Sequence, residues 1–113
     1  MSPSLLSDPS QIFAELDAQP PLMRSQVIAP YIGMGVDWPV TFANASEDRS
    51  GRVHLLFQFD SRSVRIITGE IPLSEYPQLR STQAGAQLRV CGTIRKIDTL
   101  SVGLEITELL FLG

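Results

Sequence analysis

One cysteine, one histidine and one tryptophan stand in a chain of 113 residues, and each shortage closes off a class of chemistry. A single Cys forms no internal disulfide, and with a single His it supplies no Cys/His zinc cluster. A Cys–His nucleophile pair survives on paper only. No window approaches the roughly 20 apolar residues of a bilayer-spanning helix, and the longest apolar run near an end is Leu109–Leu112. Met1 to Gln11 lacks the basic stretch and apolar core of a secretory signal. An unpaired thiol suits a reducing interior. The expectation is a soluble, cytoplasmic protein with no membrane contact. Lysine is scarce as well, since eight of the nine basic residues are Arg.

What the chain does have is ordinary globular material, with 43% hydrophobic and 19% charged residues. That balance excludes wholesale disorder, and the length fits one domain. Eight Gly and eight Pro punctuate the chain too often for a long-helix bundle. Near the start, Ser7-Asp8-Pro9 reads as a helix entry with Asp8 or Ser7 as cap. Ile12, Phe13 and Leu16 follow at helical spacing, and Gln19-Pro20-Pro21 stops the helix. A second short helix is expected from about Leu22 to Ala29, before Pro30.

Beyond Tyr31-Ile32-Gly33 the period changes to two. Val36, Trp38, Val40 and Phe42 share one face of a first strand, and Val53, Leu55, Phe57 and Phe59 one face of a second. Asn44 to Gly51 reads as a polar turn. A third strand is expected with Val64 and Ile66 inward and Arg65 and Ile67 outward. Leu73, Tyr76 and Leu79, spaced three apart, predict one or two helical turns capped by Ser74. A fourth strand spans Ala86 to Ile97, with Leu88, Val90 and Ile94 on one face and Arg89, Cys91, Thr93 and Arg95 on the other. After a turn at Asp98 to Gly103, Leu104 and Ile106 open a fifth strand.

Five strands with a short helix between the third and fourth is the plan of a small Greek-key barrel. Gly92 suits a strongly coiled strand, and Pro39 a bend or bulge in the first. The stretch Tyr31-Ile32-Gly33, Val36 and Trp38, with Gly85-Ala-Gln-Leu-Arg-Val-Cys-Gly-Thr-Ile-Arg-Lys-Ile97, resembles bacterial OB-fold (oligonucleotide/oligosaccharide-binding) domains. Their strand one opens on a "YxGxxVxW" entry and their strand four reads "GxxLxVxGxIxxI". The resemblance covers roughly residues 30 to 112. It implies an all-β, five-stranded OB-fold barrel over residues 31–113 and a binding role toward nucleic acid or protein, and the helical spacing that precedes it reads as an N-terminal helical arm over 1–30.

The net charge of −3 argues against indiscriminate affinity for phosphates, but the charge is segregated. Residues 1–48 carry one base and six acids, residues 49–96 eight bases and three acids, and residues 97–113 three acids. Arg52, His54 and Arg65 are expected outward on strands two and three, and Arg89 and Arg95 outward on strand four. Such a face could track the backbone of a single-stranded nucleic acid. The plainer alternative is solvated strand surface, with these arginines facing acids such as Glu105. Aromatic platforms for stacking bases are short, because Trp38, Phe42, Phe57 and Phe59 share the core parity.

No enzyme constellation is present. His54 has no evident orienting partner, Cys91 stands alone, Glu47-Asp48 is a loop pair, and Gly33-Met34-Gly35 lacks the third glycine of a dinucleotide loop. No small-molecule cofactor is expected. Leu56 and Ile67, expected outward, with Leu109–Leu112 and the arm's Leu5 and Leu6, make an apolar surplus. Either the arm covers it, or a homodimer or partner protein does, in the second case through an unclosed strand edge. The reading is a non-enzymatic binding module for single-stranded nucleic acid, with a protein-interaction or self-assembly module as the alternative.

Overall fold

Alternating apolar residues decide the inner wall of the barrel in the computed structural model, which describes residues 9–60 and 64–112. The strands are β1 (Gly35–Glu47), β2 (Arg52–Gln58), β3 (Ile66–Pro72), β4 (Gln87–Ile97) and β5 (Ser101–Phe111). They close into a ring in the order β1-β2-β3-β5-β4. β3 and β5 run parallel, and the other pairings are antiparallel. Closure leaves no open sheet edge among the described strands, so the edge-pairing route to a partner is withdrawn. Trp38, Phe57, Ile67, Leu88, Val90, Ile94 and Val102 fill the centre, all fully buried.

β1 is long because two neighbours share it. Gly35 to Thr41 pair with β4, and Thr41 to Glu47 pair with β2. The register shifts between Phe42 and Asn44, not at Pro39, which sits in step opposite Arg89. Beyond the shift, Ala45 packs against the core while Asn44 and Ser46 are exposed. The expected polar turn is therefore strand as far as Glu47. The true turn is Asp48 to Gly51, where the Asp48 carboxylate accepts from the amides of Ser50 (2.8 Å) and Arg52 (3.2 Å) and Gly51 takes a positive φ of 85°.

β3 has the opposite parity to the one expected. Ile67 and Ile71 point inward, Val64 is 83% exposed and precedes the strand, and Arg65 lies outside it. Gly69 hides the alternation, since the position between the two isoleucines has no side chain; the Ile106 side chain occupies the space its Cβ would fill. β5 likewise begins earlier than expected, at Ser101, because Val102 is already inward. The Asp98 carboxylate tightens the preceding turn by accepting from the amides of Leu100 and Ser101, each at 2.8 Å.

Between β3 and β4 lie two 3-10 turns, Leu73–Glu75 and Pro77–Ser81, without a side-chain cap from Ser74. Pro77 interrupts any α-helix there. Leu73 and Leu79 are buried, and the Tyr76 hydroxyl accepts from the Leu109 amide at 3.2 Å. At the chain's start, α1 (Ser10–Asp17) buries Ile12, Phe13 and Leu16 in the common core. The cap expected at Ser7 or Asp8 lies outside the described residues. The second expected helix is shorter, α2 (Arg24–Ile28), flanked by 3-10 turns at Pro21–Met23 and Ala29–Tyr31. Tyr31 ties the arm back: burial first, then its hydrogen bond with Glu15, pushes its hydroxyl up to about 12. No described helix is long and apolar enough to cross a membrane.

Candidate nucleic-acid interface

An open groove of about 460 Å³ crosses the outer face of the barrel. Asn44 and Ser46 of β1, His54 and Leu56 of β2, and Thr68 and Glu70 of β3 form most of it, with Arg95 and Gly103 on the far side. The residues follow from strand parity. The shift in β1 turns Asn44 and Ser46 outward, Leu56 is outward between the buried Leu55 and Phe57, and Thr68 and Glu70 flank the inward Gly69. The lining contains no aromatic ring. Small residues and uncharged hydrogen-bonding groups line it together with the ionisable His54, Glu70 and Arg95.

The structure brings three of the five sequence-predicted site residues to this face and sets each against a carboxylate. Arg52 donates through Nε to Glu70. His54 stands between two acids, with Nε2 at 3.1 Å from Asp48 and Nδ1 at 3.4 Å from Glu70. Arg95 is bonded to Glu105, the partner acid that the sequence offered. The other two lie elsewhere. Arg89 pairs with Asp37 at 2.7 Å where β1 and β4 meet, outside the groove. Arg65 reaches the helical arm, where its guanidinium grips both oxygens of Asp17 and lies 4.8 Å over the Phe13 ring.

Sequence reasoning missed Asp48 and Glu70 as partners because nothing local pairs them with His54. Glu70 meets it only through the β2–β3 register, His54 opposite Glu70. Asn44 and Ser46 were hidden in an apparent turn. Cys91 also differs in character from its basic neighbourhood: burial, then a hydrogen bond with Asp37, pushes its thiol up, away from the reactive thiolate.

Hydrogen bonds from Ser50 and then His54 hold the Asp48 carboxyl far below the usual carboxylate range. Because the folded value lies below the unfolded one of about 4, the stability it contributes is complete above about pH 4. That contribution is lost as pH falls through the lowered value. Asp48→Asn is therefore expected to lower stability at neutral pH and to flatten its decline between about pH 4 and pH 2. Urea unfolding across that range checks it, and an unchanged acid limb would refute it.

No family model matches the chain, and no curated protein matches it by sequence. Solved structures do match in shape. The "putative nucleic acid-binding lipoprotein" of Klebsiella pneumoniae superposes with a TM-score of 0.63 at 9% identity, covering 88% of this chain and 87% of that one. Asparaginyl-tRNA synthetase from Pyrococcus horikoshii gives a TM-score of 0.59 at 10% identity over 74% of this chain. The fold is an OB fold. The S. pombe Stn1-ten1 complex gives a TM-score of 0.52 at 17% identity, covering 74% of this chain and 67% of that one. The matched barrel spans 20% of the archaeal synthetase. At these identities the likeness establishes the OB barrel and leaves the ligand to the chemistry of the groove.

Proposed function

We propose that this OB barrel is a non-enzymatic module that binds single-stranded nucleic acid along the groove between His54 and Arg95. The observation that carries the reading is the groove itself: an open channel of about 460 Å³ with Arg95 and His54 in its lining and Arg52 beside them on Glu70. Asn44, Ser46 and Thr68 supply donors and acceptors for base edges between the cations. The Klebsiella protein's description as nucleic acid-binding and the tRNA synthetase's fold give the same direction. Arg52, His54 and Arg95 carry the binding role. Arg65 and Arg89 leave it.

Labelled single-stranded DNA of about 12 nucleotides, within the span of one OB fold, is expected to bind at low salt. Arg52→Ala with Arg95→Ala is expected to weaken it roughly tenfold and to flatten the salt slope by about 1.4, at ~0.7 per phosphate contact. Absence of binding at the lowest salt would sink the proposal. One observation favours a second reading. The groove's arginines and His54 all face carboxylates and its lining has no stacking ring, a face equally suited to a polar protein partner. Binding to no oligonucleotide, with self-association or partner capture at the same face, would select that reading.

A further inference from the structure

Strand registers place one row of residues straight across the groove face. Ser46 of β1 stands opposite His54 of β2, His54 opposite Glu70 of β3, Glu70 opposite Glu105 of β5, and Glu105 opposite Thr93 of β4. Two carboxylates thus sit side by side at the middle of the face. Like charges directly opposite on neighbouring strands repel. The repulsion is relieved from both sides: Arg52 and His54 hold Glu70, and Arg95 holds Glu105. All of these side chains are substantially exposed, so a competing anion can reach them.

We infer that Glu70 and Glu105 are the residues that set the groove's affinity and selectivity, as internal competitors that an incoming phosphate backbone must displace. This rests on the nucleic-acid reading above. The cations lie on β2 and β4, with β3 and β5 between them across the groove, roughly 14 Å of sheet along that path. One phosphate cannot take both positions. Releasing only one cation strands one carboxylate beside the other, so the exchange favours a ligand that brings several phosphates at once. A polyanion engaging both ends frees two carboxylates, which gather counterions as the phosphates shed theirs. The wild-type protein therefore binds weakly and with a shallow salt dependence.

The test titrates the same labelled single-stranded DNA against wild type, Glu70→Gln, Glu105→Gln, the double variant, and Glu108→Gln. Glu108 carries the same charge on β5 but is paired in no ion bridge to a groove cation. The double variant is expected to bind about tenfold tighter, with a salt slope steeper by about 1.4. Glu108→Gln should change affinity less than roughly twofold, and circular dichroism should confirm that every variant is folded. If wild type binds and the double variant binds no tighter than Glu108→Gln, the competitor role is overturned while the nucleic-acid reading stands. If wild type does not bind even at the lowest salt, the nucleic-acid reading falls and the competitor role falls with it.

Discussion

Replacing Gly92 with alanine is expected to cost about 3 kcal/mol or more, among the largest losses a single methyl can cause in a barrel of this size. Gly92 lies on β4 where the β4–β5 register shifts, next to Cys91. A Cβ there would collide with the Glu105 carbonyl oxygen and come within 3.1 Å of both the Glu105 carbonyl carbon and the Ile106 Cα. All three are backbone atoms, so no side chain can swing away, and the crossing of β4 over β5 must open. Gly103 is the matched control. Its Cβ would meet the Thr68 hydroxyl at 3.4 Å and the Lys96 Cβ at 3.5 Å, ordinary contacts on the outer face. Gly103→Ala should stay within about 0.5 kcal/mol of wild type. Urea midpoints at constant slope separate the two, and a Gly92→Ala loss below about 1 kcal/mol would show that the strands do not cross so closely.

That contrast marks what was legible in the sequence. Gly92 could be picked out because the alternation of Leu88, Val90 and Ile94 runs unbroken through it, leaving a coiled strand as the physical reason for a missing side chain. Gly69 sits in the same situation on β3, but with only Ile67 and Ile71 beside it, and Val64 and Ile66 offered a competing frame of opposite parity. A slip by one residue exchanges the faces of a strand, and so Ile67 was read as surface and Arg65 as groove. The groove's cations on β2 and β4 came through because those strands alternate cleanly. Of their carboxylate partners only Glu105 did, while Asp48 and Glu70 did not. Glu70 and Glu105 meet only because β3 and β5 pair in parallel across the closed ring, a contact set by topology rather than by local pattern.

The misplaced Arg65 leads to the second large effect, in the helical arm. Phe13→Ala is expected to destabilise the protein by about 3–5 kcal/mol, the range for removing a buried aromatic ring. Phe13 is 2% exposed, and its ring stacks on Phe59, past the end of β2, at 5.9 Å between centroids and 12° between planes. The Arg65 guanidinium covers it from 4.8 Å, while the same group forks onto Asp17 and its Nε donates to the Thr99 carbonyl at 3.1 Å. That fork pushes the Asp17 carboxyl down and the Arg65 guanidinium up. α1 is thus fastened to the barrel by a ring inside and an ion pair outside. Since domains of this size have only about 5–15 kcal/mol in total, losing Phe13 should bring the whole barrel near unfolding rather than free the arm alone. Arg65→Ala should also lower the urea midpoint, and Arg65→Lys should not restore it, because an ammonium lacks the planar fork. Oligonucleotide affinity of the folded Arg65→Ala protein should remain within roughly twofold of wild type, since the Arg65 guanidinium is directed to Asp17 and Phe13 and does not line the groove. A large loss of binding with stability intact would return Arg65 to the nucleic-acid face and overturn its assignment to the arm.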